Sequence, residues 1–331
     1  GRQMGPWVTA LSAGASDMSA WVLMGLPTSI YALGLGQVWI SVGLAIGYTI
    51  SWIVQAPRLR RFSIVANDSI TIPQYLTNRF LSKSKALQII CAVIFLVAYT
   101  VYAASSVKAC GTLFNTVIGM DETAAMYLAS LIIIAYTFLG GFSAVCWTDF
   151  FQGMLMLGAL LIAPIFALFM LQGTGIHPVD TPNYFNAFSS WKDIVSGLGW
   201  GLGYFGMPHI LLRFMAIEDE NKLKVSRRIA TVWVVISMAV AVFIGVVGNG
   251  MTKVGAVAAL EGSASETIIV RIATLLSQFG PLTNGPDPLN NVTAPKNVMP
   301  YAAIAGVCTV LIVLLISAML AVGVRFAVRT Y

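Results

Sequence analysis

Of the thirteen acidic residues in the chain, Asp17 and Asp149 stand inside apolar runs long enough to cross a membrane. A charged side chain at mid-bilayer costs about 2.5–3.5 kcal/mol on insertion scales, so such residues face a cavity or an ion path. Around Asp17 the sequence reads Ser12-Ala13-Gly14-Ala15-Ser16-Asp17-Met18-Ser19, small and hydroxyl residues where a lipid-facing helix would carry Leu and Ile. A helix built this way can open, and the carbonyls it frees, with carboxylate and hydroxyl oxygens nearby, suit a hard monovalent cation. Close helix packing through small residues accounts for Gly14 and Ala15 but not for the aspartate. Asp149 lies nearer the end of its run, where a helix-joining hydrogen bond explains it equally well.

A second interruption is the stretch Gly197-Leu198-Gly199-Trp200-Gly201-Leu202-Gly203-Tyr204-Phe205-Gly206-Met207-Pro208-His209. Trp200, Tyr204 and Pro208 follow at i, i+4 and i+8, one face of a regular helix, and could wall a small cavity for an amphipathic solute. Aromatic stripes are more often packing. Two apolar spans each interrupted by glycine or proline are, however, the sequence pattern of a transporter site. His209 reads as a hydrogen-bonded structural residue beside Arg213, and His177 falls in a polar connection. Cys91, Cys110, Cys146 and Cys308 all sit in apolar segments without metal-type spacing. No nucleotide or nucleophile motif stands in its required context, so the residues favour no enzyme and no cofactor.

These residues must be positioned by membrane helices. Hydrophobic residues make up 58% of the chain and charged ones 10%, against about 25% charged in a soluble domain. Apolar runs predict eight spans, at 6–31, 38–56, 87–113, 125–139, 145–171, 194–214, 229–247 and 301–324, within one transmembrane domain covering 1–331. The net charge of +6 resides in the connections, which points to membrane orientation and not to nucleic acid. Arg58, Arg60, Arg61, Arg79, Lys83, Lys85, Arg213, Lys222, Lys224, Arg227 and Arg228 gather on one side, Lys192, Lys253, Arg271 and Lys296 on the other. The positive-inside rule makes the former cytoplasmic, including the loop 58–85, and puts Arg2 inside as well. Within that loop, 69–80 has the pattern of an interfacial helix entered through Pro73. The segment 248–300 is expected outside, with an amphipathic helix over 264–279 and a loop over 280–296. A turn at Gly140-Gly141 is expected to separate the fourth and fifth spans.

At Arg2, the run 10–19, Trp21, Tyr102-Ala103-Ala104-Ser105, Gly140-Gly141-Phe142, Trp147-Thr148-Asp149 and 200–210, the chain resembles the sodium/proline symporters of the sodium:solute symporter family. The resemblance is specific over 1–250 and weak beyond. It implies an all-α, leucine-transporter-like inverted-repeat bundle in a bacterial inner membrane, with L-proline and sodium as partners, sodium as co-substrate and no other cofactor. It also implies roles. Asp17 resembles the sodium-coupling carboxylate, Ala15 and Met18 the carbonyl donors to sodium, and Ser19 a hydroxyl at the ion and solute region. Tyr102, Trp200, Tyr204 and Pro208 resemble the proline-site residues, Asp149 a gating acid on the inner side, and Arg2 a coupling residue at the cytoplasmic end.

Some features depart from the pattern. The family has a helix before the position of Gly1 and several spans after the eighth, so the chain is expected to be a piece of a longer transporter. Leu320-Ala321-Val322-Gly323-Val324-Arg325-Phe326 stands where the family carries a Ser-Thr sodium pair, and Ala20 and Met207 where proline symporters carry Gly and Gln. A symporter for another small organic solute, a transporter-like sensor, and a truncated product without activity stay open beside the proline reading.

Overall fold

The computed structural model describes residues 2–171, 183–253 and 257–278. Among them regular structure is helical, apart from one isolated bridge between Met4 and Ile217. The expected span 301–324, the loop 280–296 and His177 lie outside the described residues.

Both expected breaks are present, and local chemistry explains where they fall. Helix α1 (Pro6–Ala20) starts with proline at its first turn, where no N–H is needed. It loses helical geometry at Ser19, whose φ of 37° and ψ of −159° lie outside the ordinary regions for an L-residue. Such a conformation costs on the order of 1–3 kcal/mol and persists only where the surroundings enforce it. A π turn, Trp21–Gly25, leads into α2 (Leu26–Leu33). Pro27 cannot serve the carbonyl four residues back, at Leu23, and a π turn accommodates that loss. Pro57 does the same between α3 (Val38–Ile50) and α4 (Ala56–Val65), which flank the π turn Ser51–Gln55.

The expected loop 58–85 is therefore partly a continuation of a span, since Leu35–Val65 forms one apolar helical run. The interfacial helix is present as α5 (Ile72–Arg79), capped by the Thr71 hydroxyl accepting from Gln74 N–H at 3.3 Å. Helix α6 (Ala86–Ile118) ends at Gly119 in the left-handed region, as helices commonly do. The turn expected at Gly140-Gly141 is instead a one-residue break at Gly141 (φ 60°) inside a helical run, α7 (Glu122–Leu171).

The second interrupted span consists of α8 (Trp191–Gly199), a 3-10 stretch Trp200–Phe205, and α9 (Pro208–Ala216). Helix α10 (Leu223–Lys253) packs against α1, α2, α3 and α7 at the centre. Further along, a 3-10 turn Gly262–Thr267 and α11 (Ile268–Gln278) occupy the expected amphipathic stretch, with Ile268 and Ile272 buried. Four runs are long and apolar enough to cross a membrane among the described residues: Leu35–Val65, Ala86–Ile118, Glu122–Ile162 and Glu220–Lys253. Ile89, Ile90, Val93, Ile94, Leu96 and Val97 of α6 are exposed, as suits a bilayer solvent.

Glycines set the depth at which the second broken span lies against α3. A Cβ on Gly47 would stand 2.2 Å from the Gly201 carbonyl oxygen, and one on Gly43 2.4 Å from that of Gly197. Backbone touches backbone here, so no side chain can yield. Gly14 likewise lies under the Trp233 ring, where a Cβ would come within 2.6 Å. Gly47→Ala is expected to cost about 1–3 kcal/mol by overpacking and to lower the folded protein recovered from membranes several-fold. Gly199→Ala, where nothing stands within 4 Å of an added Cβ, should leave recovery unchanged. Fluorescence size-exclusion of both variants checks this.

Candidate functional site

Asp17 sits in the last turn of α1 before the Ser19 break, half-buried at the wall of a cavity of about 410 Å3. The Tyr204 hydroxyl, from the 3-10 stretch of the second broken span, donates to Asp17 Oδ2. Tyr204 is itself fully buried and packs edge-on against Tyr48 at 5.1 Å between ring centres, so its hydroxyl is held in place from behind. The two interruptions thus meet at one carboxylate.

The Ser19 break alters which backbone groups are served. Tyr102 of α6 donates its hydroxyl to the Ser16 carbonyl at 3.1 Å, and Trp21 N–H reaches back to Met18 O and, at 3.4 Å, to Ser19 Oγ. Trp21 stacks on Trp200 with ring centres 5.4 Å apart and planes 26° apart. Gly25 makes room for that indole, since a Cβ there would meet the Trp21 ring at 2.7 Å. The volume lies within the usual range of about 300–1,000 Å3 for small-molecule sites.

Of the expected site residues, Asp17, Met18, Ser19, Tyr102, Trp200 and Tyr204 line this cavity together. Ala15 and Pro208 are not among its lining residues. Ala15 lies toward α7, its methyl 3.1 Å from where a Cβ of Gly153 would stand. Pro208 opens α9 beyond the break. The expected single face for Trp200, Tyr204 and Pro208 does not form, because residues 200–205 wind as a 3-10 helix, in which residues three apart, not four, align. Trp21, Met207 and Glu266 also line the cavity. In the sequence Met207 stands out only as a departure from the family pattern, and Glu266 falls in a connection. Asp17 and Glu266 are the charged residues of the lining, so the cavity favours cations. No group of three His, Cys, Asp or Glu gathers among the described residues, and the donors on offer are carboxylate, hydroxyl and carbonyl oxygens.

Asp149 stands apart, in a second polar cluster. Its Oδ2 accepts from Ser12 Oγ at 2.8 Å, Ser16 Oγ at 2.8 Å and Arg213 Nη2 at 2.6 Å. Arg213 also donates to Ser12 Oγ at 2.7 Å, to Ser16 Oγ and to the His209 carbonyl. The Arg213 side chain is 6% exposed and belongs to α9, so this charge lies within the helices and not in a connection. A charge within an apolar run needs a partner, and Asp149 was the acid in want of one. His209 makes the hydrogen bonds expected of it through one side of its ring and its backbone, while Nε2 is buried without a partner. Its Nδ1 pairs with the Tyr99 hydroxyl, its N–H donates to the same oxygen at 3.2 Å, and its ring stacks on Tyr102. Arg2 lies before α1, at the end away from the Ser19 break, bound to Asp68 and Ser63 and to the carbonyls of Ser69 and Met215.

Removing one partner of a buried ion pair strands the other charge, at a cost of about 3–5 kcal/mol. Arg213→Met should therefore lower the melting temperature of the detergent-solubilised protein sharply. The double variant Arg213→Met/Asp149→Leu should recover part of the loss, giving a non-additive cycle.

A model of the sodium:solute symporter family matches residues 1–282. The high-affinity proline transporter PutP of Bacillus subtilis strain 168 is 42% identical over 298 residues, 86% of this chain and 60% of that protein. A sodium/proline symporter of Staphylococcus aureus strain USA300 is 41% identical over 292 residues, 86% of this chain and 56% of its own length. The chain thus spans under two thirds of these relatives. Among solved structures, a substrate-bound outward-open state of a sodium-coupled sialic acid symporter superposes with a TM-score of 0.67 at 16% identity, covering 98% of this chain and 75% of that one. At that identity the likeness establishes the fold alone, a leucine-transporter-like helical bundle. With a family match over most of its length and a multi-pass helical architecture, the chain belongs to the sodium:solute symporter family.

Proposed function

We propose that the protein carries L-proline across the plasma membrane together with sodium, by alternating access. The observation that carries this reading is the meeting of the two broken spans at Asp17, where one hydrogen bond from Tyr204 ties a cation-favouring carboxylate to an aromatic solute wall. Relatives at 41–42% identity that bear the names of proline transporters support the solute. Transport, and no catalytic step, is the activity this arrangement serves. The single transmembrane domain has residues 58–85 on the cytoplasmic side and 248–300 outside.

In this reading sodium takes oxygens from Asp17, the carbonyls of Ala15 and Met18, and Ser19. Proline lies against Trp200, Tyr204 and Tyr102, with Pro208 shaping the break below. Sodium neutralises Asp17, and Tyr204 then holds the solute wall in register with the filled ion site. Coupling requires that sodium bind the solute-competent state better than the empty one, and a shared hydrogen bond supplies that difference. Asp149 with Arg213, Ser12 and Ser16 forms a closed polar layer between the cavity and Arg2, and opening it releases both cargoes inward. Met207 in the cavity lining favours a second reading, in which the solute is another small organic molecule of similar size.

Sodium-driven uptake of labelled proline into membrane vesicles tests the proposal. Asp17→Asn should abolish it with the protein still present in the membrane. Tyr204→Phe removes a hydrogen bond to a charged group, worth about 1.5–3 kcal/mol, and should raise half-saturating sodium roughly tenfold or more. Proline uptake by the wild-type protein that ignores sodium would reject the reading. Competition by another solute, with proline inert, would favour the second.

A further inference from the structure

The second broken span owes its shape to a hydrogen bond that is not made. In a continuous helix the His209 N–H would serve the Phe205 carbonyl four residues back. Residue 208 is proline, so the tighter bond to the same carbonyl from three residues on is missing as well. Met207 is extended instead, at φ −77° and ψ 103°, and its carbonyl takes the Ile210 and Leu211 N–H groups, each at 3.1 Å, to start α9. The two halves of the unmade bond are each caught by a side chain from another element. Gln55 Nε2 donates to the Phe205 carbonyl at 2.8 Å, and the Tyr99 hydroxyl accepts from the His209 N–H at 3.2 Å.

Both side chains are themselves held. Gln55 closes the π turn Ser51–Gln55, and the Ser51 hydroxyl donates to its Oε1 at 3.0 Å. That bond fixes which end of the amide faces Phe205, since only the NH2 group can donate to a carbonyl. Tyr99 lies on α6, and its hydroxyl also pairs with Nδ1 of the His209 ring, which stacks on Tyr102 of the cavity wall. Met207, between the two caught groups, lines the same cavity, as do Trp200 and Tyr204 just before them. An unpaired backbone group is costly at membrane depth. Neither half of the break can therefore be released without the segment moving, and Met207 moves with it.

We propose that Gln55 and Tyr99 are specificity-determining positioning residues: by holding the 205–209 break open between them, they set the reach of Met207 and with it the size of solute ring the cavity accepts. Neither is among the residues lining the cavity, so each acts through the backbone group it holds. The uptake arm of the test below rests on the sodium–proline reading, and the labelling arm does not.

For labelling, Met207→Cys is placed in a full chain otherwise free of cysteine, in lipid nanodiscs, and its modification by a small charged methanethiosulfonate is timed. Adding Gln55→Leu or Tyr99→Phe should change that rate about fivefold or more, the effect of one lost hydrogen bond. Ser105→Cys, elsewhere in the lining, should keep its rate within about twofold. Unchanged labelling of Met207→Cys in both variants would overturn the proposal, and so would an equal change at Ser105→Cys, because the cavity would then have loosened as a whole. For uptake, Gln55→Leu should raise half-saturating proline about fivefold or more with the maximal rate within about twofold. The ratio of the inhibition constants of proline and its six-membered-ring homologue pipecolate should shift by a similar factor in favour of pipecolate. Gln55→Glu, which keeps the shape but cannot donate, should behave as Gln55→Leu does, and Gln55→Lys, which restores a donor, should return the ratio toward the wild type. A Gln55→Leu protein that loses maximal rate and leaves the pipecolate ratio unchanged would show a role in folding alone and contradict the proposal. Tyr99→Phe, the smaller change, carries both arms if Gln55→Leu does not reach the membrane. Were the wild-type protein to take up no proline, the fault would lie with the transport reading, and labelling alone would judge Gln55 and Tyr99.

Discussion

A carboxylate set in the middle of an apolar helix must find polar company, and in this protein it finds it across a gap between two helices that both stop being helices. The bond from Tyr204 to Asp17 is possible because α1 breaks at Ser19 and the opposite span winds as a 3-10 stretch at the same level. Much of the surrounding structure can be understood as the means of keeping these two irregular segments face to face. Tyr102 reaches in from α6 to take the Ser16 carbonyl, Tyr48 backs Tyr204, and Trp21 stacks on Trp200. Irregular backbone at membrane depth survives only where protein or a wet cavity satisfies it; the Tyr102 hydroxyl does so for the Ser16 carbonyl, and the ring contacts hold the two segments together around it.

Close approach is the second requirement. The glycines at 43, 47, 197 and 201 let α3 and the second broken span touch through their backbones. A large side chain on either surface would hold Tyr204 away from Asp17. Prolines do complementary work by placing the π turns that precede α2 and α4, and Pro208 starts α9 where the 3-10 stretch ends. The cluster around Asp149 lies one turn below, using Ser12 and Ser16 from the same helix that carries Asp17. Their i, i+4 spacing puts both hydroxyls on one face, so a single carboxylate can accept from both.

Much of this was legible from residue types. Asp17 was conspicuous because charge is costly where it sits, and the glycine-rich interruption at 197–209 announced itself by composition. The division into spans followed from hydropathy wherever the runs were long. Periodicity failed for Pro208 because it presumes 3.6 residues per turn, and the 3-10 stretch has fewer. The burial of Arg213 does not show in linear position, which counts a residue near a span end as part of a connection, whereas α9 packs against α1 and encloses it. Glu266 and Gln55 could not be found at all from one sequence. A glutamate in a connection and a glutamine near the end of an apolar run look like solvent-facing groups until the fold brings one to a cavity and the other onto a stranded carbonyl.

Coupling through the two broken spans requires that Asp17 receive the cation. Equilibrium binding of radioactive sodium to the purified full chain, in the absence of any solute, measures this without relying on transport. Saturable binding by the wild type that is lost in Asp17→Asn and weakened in Tyr204→Phe is the predicted result. Undiminished sodium binding by a folded Asp17→Asn protein would contradict it.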